Sequence, residues 1–430
     1  MTAFVGAGLH RARTTSPFVG GQGVWLHRAD GTRVLDASNT GGPLGHAHPL
    51  MVEALHEAAS FPVANESRDW AEREEVAAHL VDIVDAGEGW VGGVRFGLSG
   101  SEVNDIALSL AQAATGRAPL VARERAYHGL VGLSRDVTVQ PQWHGGLSNL
   151  DGDVLPPQTR ADVRVVAGPD GTRWSRTPAD RPNGLLPGEL QRAVDGAAAV
   201  IVDYTQGGRY YDPAYQDAVA DAASEAGAWW IADEVVTGLG RCGRAMAFHG
   251  SSSRPDVVTL GKPLAGGASA AGAVVLSRRI TDLLEDAKWQ NYSTFRAHPV
   301  TVHAIGAHLA ALEKEQLVER AAAAGDRLGA QLVELAKAHP SVVRVAGEGL
   351  HWTVELDGPD WKTWDSTLDT SEISDVVVGE ALGHGVAIST SDEPSSLFLA
   401  PALIIENEEL DMIVDALDAG LTRADERLGR

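Results

Sequence analysis

Four short runs in the middle of the chain are apolar at nearly every position: Ala197–Tyr204, Ala228–Val236, Asp256–Leu260 and Ala273–Leu276. Runs of this length without polar alternation predict strands buried on both faces. Between the first two, Asp212–Gly227 mixes alanines with acids and stops at a glycine, which predicts a helix. Buried strands separated by helices predict a largely parallel sheet covered on both sides. Helical spacing also marks Glu53–Ala59, Glu72–Val84, Ala304–Leu312 and Leu317–His339. Towards the end, Ser341–Glu355 and Val376–Ile388 read as strand and helix of a smaller unit, and Glu408–Leu421 as a terminal amphipathic helix. Asn149–Gly188, rich in Pro, Gly, Asp and Arg, reads mostly as an excursion from the core.

Composition narrows the function classes. With 430 residues, the chain has room for two or three domains. Its net charge of −23 argues against nucleic acid and anionic membrane surfaces, and its field favours a cationic substrate. No apolar stretch approaches the ~18 residues needed to span a bilayer. Met1–Thr15 has no apolar segment after a basic start, so no signal peptide is expected. A single cysteine, Cys242, excludes an internal disulfide and fits a reducing cytoplasm.

Three segments carry candidate chemistry. In Phe96-Gly-Leu-Ser-Gly-Ser-Glu-Val-Asn104, a turn of small residues precedes a helix. Free backbone N–H groups and the helix dipole there favour a phosphate, although the same residues suit an ordinary helix start. Asp233 ends a buried strand, where a carboxylate needs a partner: a protonated ring nitrogen, or simply the backbone of the next turn. Lys262 follows the strand Val257–Leu260 and precedes Pro263, which biases it away from helical dihedrals. A desolvated amine can form a Schiff base and then act as a base; taken alone, a solvated surface lysine explains the residue equally well. His46 and His48 could face one way, yet no acidic or cysteine cluster joins them, and no metal is expected. Trp25, Phe61, Trp70, Trp143 and Tyr292 are candidate pocket walls.

In combination these segments resemble a known family. Ile231-Ala-Asp-Glu-Val-Val-Thr-Gly-Leu-Gly-Arg241 resembles the signature strand and turn of the class-III aminotransferases, and the 29 residues from Asp233 to Lys262 match the family spacing. Ser99–Glu102, Ala126-Tyr-His-Gly129, Gly45–Pro49, Thr294–Pro299 and Ala400–Ile405 match in order, so the resemblance covers roughly residues 20–425. It implies the α/β architecture of fold type I pyridoxal-phosphate enzymes. A large domain over residues 45–305 would be built on a mostly parallel seven-stranded sheet. A smaller α/β domain would come from both chain ends, residues 1–44 and 306–430. It also implies pyridoxal 5′-phosphate, carried as a Schiff base on Lys262 with Asp233 at the pyridine nitrogen. Val235 would lie under the ring and Tyr127 over it, with His128 beside Tyr127. Gly100 and Ser101 would hold the phosphate, and Thr294 would complete that site from the neighbouring subunit of a homodimer. The implied reaction is ping-pong amino transfer between a primary amine and a keto acid or aldehyde. Racemisation, epimerisation or an amino shift on the same site is the alternative.

Two departures bear on the substrate. Where the family usually has Glu-Pro, this chain has Asp203-Tyr204. Many members place a carboxylate-binding arginine about ten residues before the late Pro-rich strand, but Val386–Pro401 contains no Arg or Lys and has Asp392 and Glu393 instead. A carboxylate clamp needs a fork of donors. Either Arg209 or Arg296 supplies it, or one substrate is cationic, such as an amino sugar or polyamine.

Overall fold

A computed structural model describes residues 16–61, 66–140, 143, 147–148, 154–155, 160–177, 188–358, 373–390 and 395–429. Its centre is a seven-stranded sheet in the order Val91–Gly97, Gly272–Ser277, Val257–Leu260, Trp229–Asp233, Ala199–Asp203, Leu120–Arg123 and Val163–Val166. Gly272–Ser277 runs antiparallel to both neighbours, and every other pairing is parallel. All four apolar runs are strands of this sheet.

The two faces explain the uniform apolarity. Val200, Val202, Trp230, Ala232 and Val258 join the hydrophobic cluster on one side. Ala199, Ile201, Trp229, Ile231 and Val257 join the cluster on the other. Alternate residues of a strand point to opposite faces, so a sheet covered on both sides needs both sets apolar. Each valine or isoleucine among them contributes roughly 1.5–3 kcal/mol on burial. The helix Pro213–Ala226 begins where Asp212 accepts from Tyr215 N at 2.8 Å and ends at Gly227, φ 64°. That is a side-chain cap at one end and a left-handed cap at the other.

Both chain ends meet. Phe18–Gln22, Trp25–Arg28 and Arg33–Asp36 form a sheet with the late strand Val386–Ala387. A further sheet contains the hairpin Val342–Glu348 and His351–Leu356, flanked by Ser396–Leu399 and Thr172–Ser175. Ser341–Glu355, expected as one strand, is therefore two antiparallel strands turned at Gly349, whose φ is 53°. Among the described residues no helix is long and apolar enough to cross a membrane.

The reading of Asn149–Gly188 as excursion needs correcting for its described part. Val163–Val166 is the edge strand of the large sheet, with Val165 half exposed, and Thr172–Ser175 pairs with Val342–Glu348. Short strands with one partner give little apolar signal, and the surrounding Pro and Gly concealed them.

Candidate active site

The parallel strands of the large sheet deliver their last residues to one place. Asp203 and Asp233 end adjacent strands and are partners in register. Arg123 ends the strand beyond Asp203. Lys262 follows Val257–Leu260 after Gly261, and Ser99 follows Val91–Gly97 after Leu98. In open α/β sheets, the crevice beyond the carboxyl ends of the strands is where ligands bind. Here a cavity of about 180 Å³ lies there, lined by Ser99, Gly100, Ser101, Tyr127, His128, Asp203, Asp233, Val235 and Lys262, with Asn104, Tyr204 and Val236.

Ser99 caps the helix Gly100–Thr115, accepting from Glu102 N at 3.2 Å, while Leu98 N donates to Glu102 Oε2 at 2.5 Å. This reciprocal cap closes two donors and leaves the amides of Gly100 and Ser101 at the cavity. A Cβ on Gly100 would stand 2.7 Å from Val235 Cγ1, so only glycine fits that approach. Leu130 N donates to Ser101 Oγ at 3.2 Å.

Asp233 is held from three sides. Val235 N donates to Oδ1 at 3.0 Å, and Asn104 Nδ2 and His128 Nδ1 each lie 2.7 Å from Oδ2. Asn104 Nδ2 also donates to His128 O at 2.8 Å, and Asn104 Oδ1 accepts from Thr259 Oγ1 at 2.6 Å. The carboxylate is buried but saturated, which removes most of the penalty for its burial. Asn104 stands in the segment that drew attention as a helix start, yet its role went unread. The missing signal is geometric: one turn into the helix, it faces the sheet rather than solvent.

Lys262 opens a single 3-10 turn, Lys262–Ala265, with Pro263 at the start, where a missing N–H is tolerated. Its side chain is open to the cavity yet lies deep in the protein. That depth pulls its pKa below the ordinary lysine value, opposed by the charges of Asp233 and Asp203. The amine lies 5.7 Å from the centre of the Tyr127 ring. Trp143, one of the candidate walls, packs edge-on against that ring, with centroids 5.2 Å apart.

Other expected residues lie elsewhere. Thr294 is exposed and outside this cavity, near exposed Tyr292 and Phe295. Arg296 is committed to Glu102, with Nε and Nη2 at 2.9 and 2.8 Å from Oε1, and Arg209 Nη2 donates to Glu124 Oε1 at 2.9 Å. Neither guanidinium lines the cavity. Asp203 does line it, but is tied to Arg123 at 2.7 Å. Asp392 and Glu393 lie outside the described residues. His46 and His48 bond separately to Asp36 at 3.1 Å and Glu315 at 3.0 Å.

An accessible amine of depressed basicity, a saturated carboxylate at the strand ends and an anion-ready helix start define an α/β enzyme built to hold a phosphorylated carbonyl cofactor over a parallel sheet. The family model for aminotransferase class-III matches residues 10–421, and the chain belongs to that family. It is similar to a diaminobutyrate–2-oxoglutarate aminotransferase of Rhizobium meliloti, 31% identical over 93% of this chain and 86% of the relative. An acetylornithine aminotransferase of Mycolicibacterium smegmatis is also 31% identical, over 95% of this chain and 94% of its own. Among solved structures, an S-selective transaminase from Arthrobacter sp. superposes with a TM-score of 0.89 at 26% identity, over 99% of this chain and 97% of that one. The protein is a pyridoxal-phosphate-dependent aminotransferase of fold type I.

The residues present fit that cofactor. Gly100 and Gly261 bring backbone and Val235 together as a floor, since a Cβ on Gly261 would sit 3.0 Å from Val235 Cγ1 and 3.1 Å from Gly100 N. Tyr127, half-buried, offers a flat apolar face, and burial together with the Asp233 charge pushes its phenol pKa up, so it stays neutral.

Proposed function

We propose that Lys262 is the catalytic residue of this aminotransferase and that Asp233 is the counter-charge that keeps the cofactor ring nitrogen protonated. The carrying observation is that an accessible amine of lowered basicity and a saturated carboxylate share one small cavity. The cofactor, when bound, supplies an aldehyde that takes up the amino group and an electron sink for the substrate carbon. Lys262 Nζ would hold that aldehyde and, once an incoming amine had displaced it, would be free to act as the base that moves the substrate proton. Gly100 and Ser101 N–H groups and the Ser101 hydroxyl bind the phosphate. Val235 and Tyr127 clamp the ring between them. His128 and Asn104 fix the orientation of Asp233.

The active form is read as a homodimer in which Thr294 of the partner subunit completes the phosphate site. The exposure of Thr294, Tyr292, Phe295, Leu130 and Val131 supports that reading. Residues 45–305 act as the large domain, with 1–44 and 306–430 as the smaller one, and the enzyme works in the cytoplasm. On the substrate side, Arg209 and Arg296 are engaged by carboxylates, and the net charge is −23. That favours a cationic amine, such as an amino sugar or diamine, as the amino donor over an anionic one. The acceptor is a keto acid or aldehyde.

The test is a half-reaction. Holoenzyme is mixed with diamines, amino sugars and ω-amino acids in turn, and the visible band of lysine-bound cofactor is followed. Diamines or amino sugars should discharge the band fastest; preference for anionic ω-amino acids overturns the substrate reading. Lys262→Ala should lack the band and steady turnover, and turnover near the wild-type rate would overturn the site.

A further inference from the structure

Asp203 and Asp233 pose an electrostatic problem that the proposed reaction does not explain. They are register partners on adjacent parallel strands, both buried, and each raises the cost of charging the other. One counter-charge lies on the far side. Arg123, with a fully buried side chain, donates Nε to Asp203 O at 2.8 Å and Nη2 to Asp203 Oδ2 at 2.7 Å, while Nη1 donates to Glu124 O at 2.7 Å. Between the two carboxylates stands the imidazole of His128, also fully buried. Its Nδ1 meets Asp233 Oδ2 at 2.7 Å, and its Nε2 faces Asp203 Oδ1 at 3.8 Å. Neither Nε2 nor Oδ1 has a hydrogen-bond partner, and both are buried.

We propose that Arg123 and Asp203 are positioning residues for the transamination: the pair sets a carboxylate facing His128 Nε2, and His128, bonded to Asp233 through Nδ1, orients Asp233 towards the cofactor. This rests on the reading of Asp233 as the residue that faces the ring nitrogen. The order Arg123, Asp203, His128, Asp233 alternates charge or donor with acceptor along one line. A buried ion pair is rarely kept for stability alone, since a packed apolar pair does as well. Here Arg123 has a second task. Burial already pushes the Asp203 pKa up, and without Arg123 nothing of opposite charge on that side opposes it, so the carboxylate facing His128 Nε2 is weakened. The ring is then free to turn, and Asp233 retains Asn104 and Val235 N alone. With the pair intact, both imidazole nitrogens face a carboxylate, at 2.7 Å on Asp233 and 3.8 Å on Asp203. Other ionisable groups near Asp203 and Arg123 are Lys262 across the cavity, Glu124 with its partner Arg209, Glu189, and Tyr215 on the helix behind, which burial keeps neutral. The exchange of the usual Glu-Pro for Asp203-Tyr204 fits this role, because the acid bonds Arg123 and faces His128 at the carboxyl ends of the strands.

The test uses the full-length chain with Arg123→Met, Arg123→Lys and Asp203→Asn. Two readouts do not depend on turnover: the dissociation constant of pyridoxal 5′-phosphate for the apoprotein, and the ¹⁵N ring signals of His128 in the apoprotein, assigned with His128→Gln. Arg123→Met and Asp203→Asn should each displace the Nε2 signal from its wild-type position. Both variants should bind the cofactor at least about tenfold more weakly, the equivalent of ~1.4 kcal/mol, and Arg123→Lys should recover most of that loss. Unchanged His128 signals and cofactor affinity in Arg123→Met overturn the proposal. So does a wild-type Asp203→Asn beside a defective Arg123→Met, since the effect would then bypass Asp203. If Arg123→Met does not fold, the nearly isosteric Asp203→Asn decides alone by the same two readouts. Asp233→Asn separates the underlying reading: wild-type turnover in that variant would remove the role of Asp233, while the His128 signals would still judge the line from Arg123.

Discussion

Asn104→Leu is the most informative single change at this site. The side chains have similar volume, so packing is nearly conserved, but three buried bonds disappear. Asp233 Oδ2 loses a donor at 2.7 Å, His128 O loses one at 2.8 Å, and the Thr259 hydroxyl loses its acceptor at 2.6 Å. Thr259 is fully buried, so water does not replace the acceptor that its hydroxyl loses. An orphaned buried group costs roughly 1–3 kcal/mol, the more when it bonds a charge, which puts the loss at about 3–6 kcal/mol for Asn104→Leu. The assay is equilibrium urea unfolding of the apoprotein followed by tryptophan fluorescence. The network makes a sharper claim through a second variant. Thr259→Val removes the hydroxyl that Asn104→Leu strands, so the double variant should be about 1 kcal/mol more stable than the sum of the single effects predicts. Asn104→Leu within ~0.5 kcal/mol of wild type, the range of ordinary surface changes, or strict additivity with Thr259→Val, would refute the reasoning.

Other predictions follow from the same geometry. Gly100→Ala places a methyl 2.7 Å from Cγ1 of Val235, a stiff β-branched neighbour. Overpacking of about 1–3 kcal/mol should weaken pyridoxal 5′-phosphate binding roughly 5- to 150-fold by cofactor titration, and wild-type affinity would count against the cradle. Glu234 is fully buried, accepts from Thr237 Oγ1 and Phe248 N, and is pushed by burial from 4.5 up to about 7. A raised carboxyl pKa means that the folded state keeps a proton the unfolded chain has released. The stability tied to Glu234 is thus full below pH ~4.5 and lost as pH rises through about 7. Glu234→Gln should flatten that decline when urea midpoints are compared at pH 5 and pH 8; parallel slopes for the two proteins would oppose it.

From sequence alone, the central sheet was legible, and so were two residues that the fold brings to one cavity. Uniformly apolar runs have no stable place except between two covered faces, so Ala197–Tyr204 and Ala228–Val236 could be read as central strands. Asp233 and Lys262 were legible for a related reason: a charged residue at the end of such a run is costly without a partner, and it therefore stands out. The spacing between them, with Tyr127 and the Ser99–Ser101 turn, then carried the family. The edge strand Val163–Val166 and the added strand Thr172–Ser175 were not legible, because a strand with one covered side or one partner leaves a weak pattern. Tertiary structure alone decided which polar groups meet. Arg123 and Asp203 lie 80 residues apart, and Asn104 and Asp233 lie 129 apart. No local rule links them, since their contact is set by how parallel strands align at their carboxyl ends. The same folding engaged Arg209 and Arg296 with Glu124 and Glu102. Charge could be counted along the chain, but its pairing depended on which strand ends and helix starts the sheet brought together.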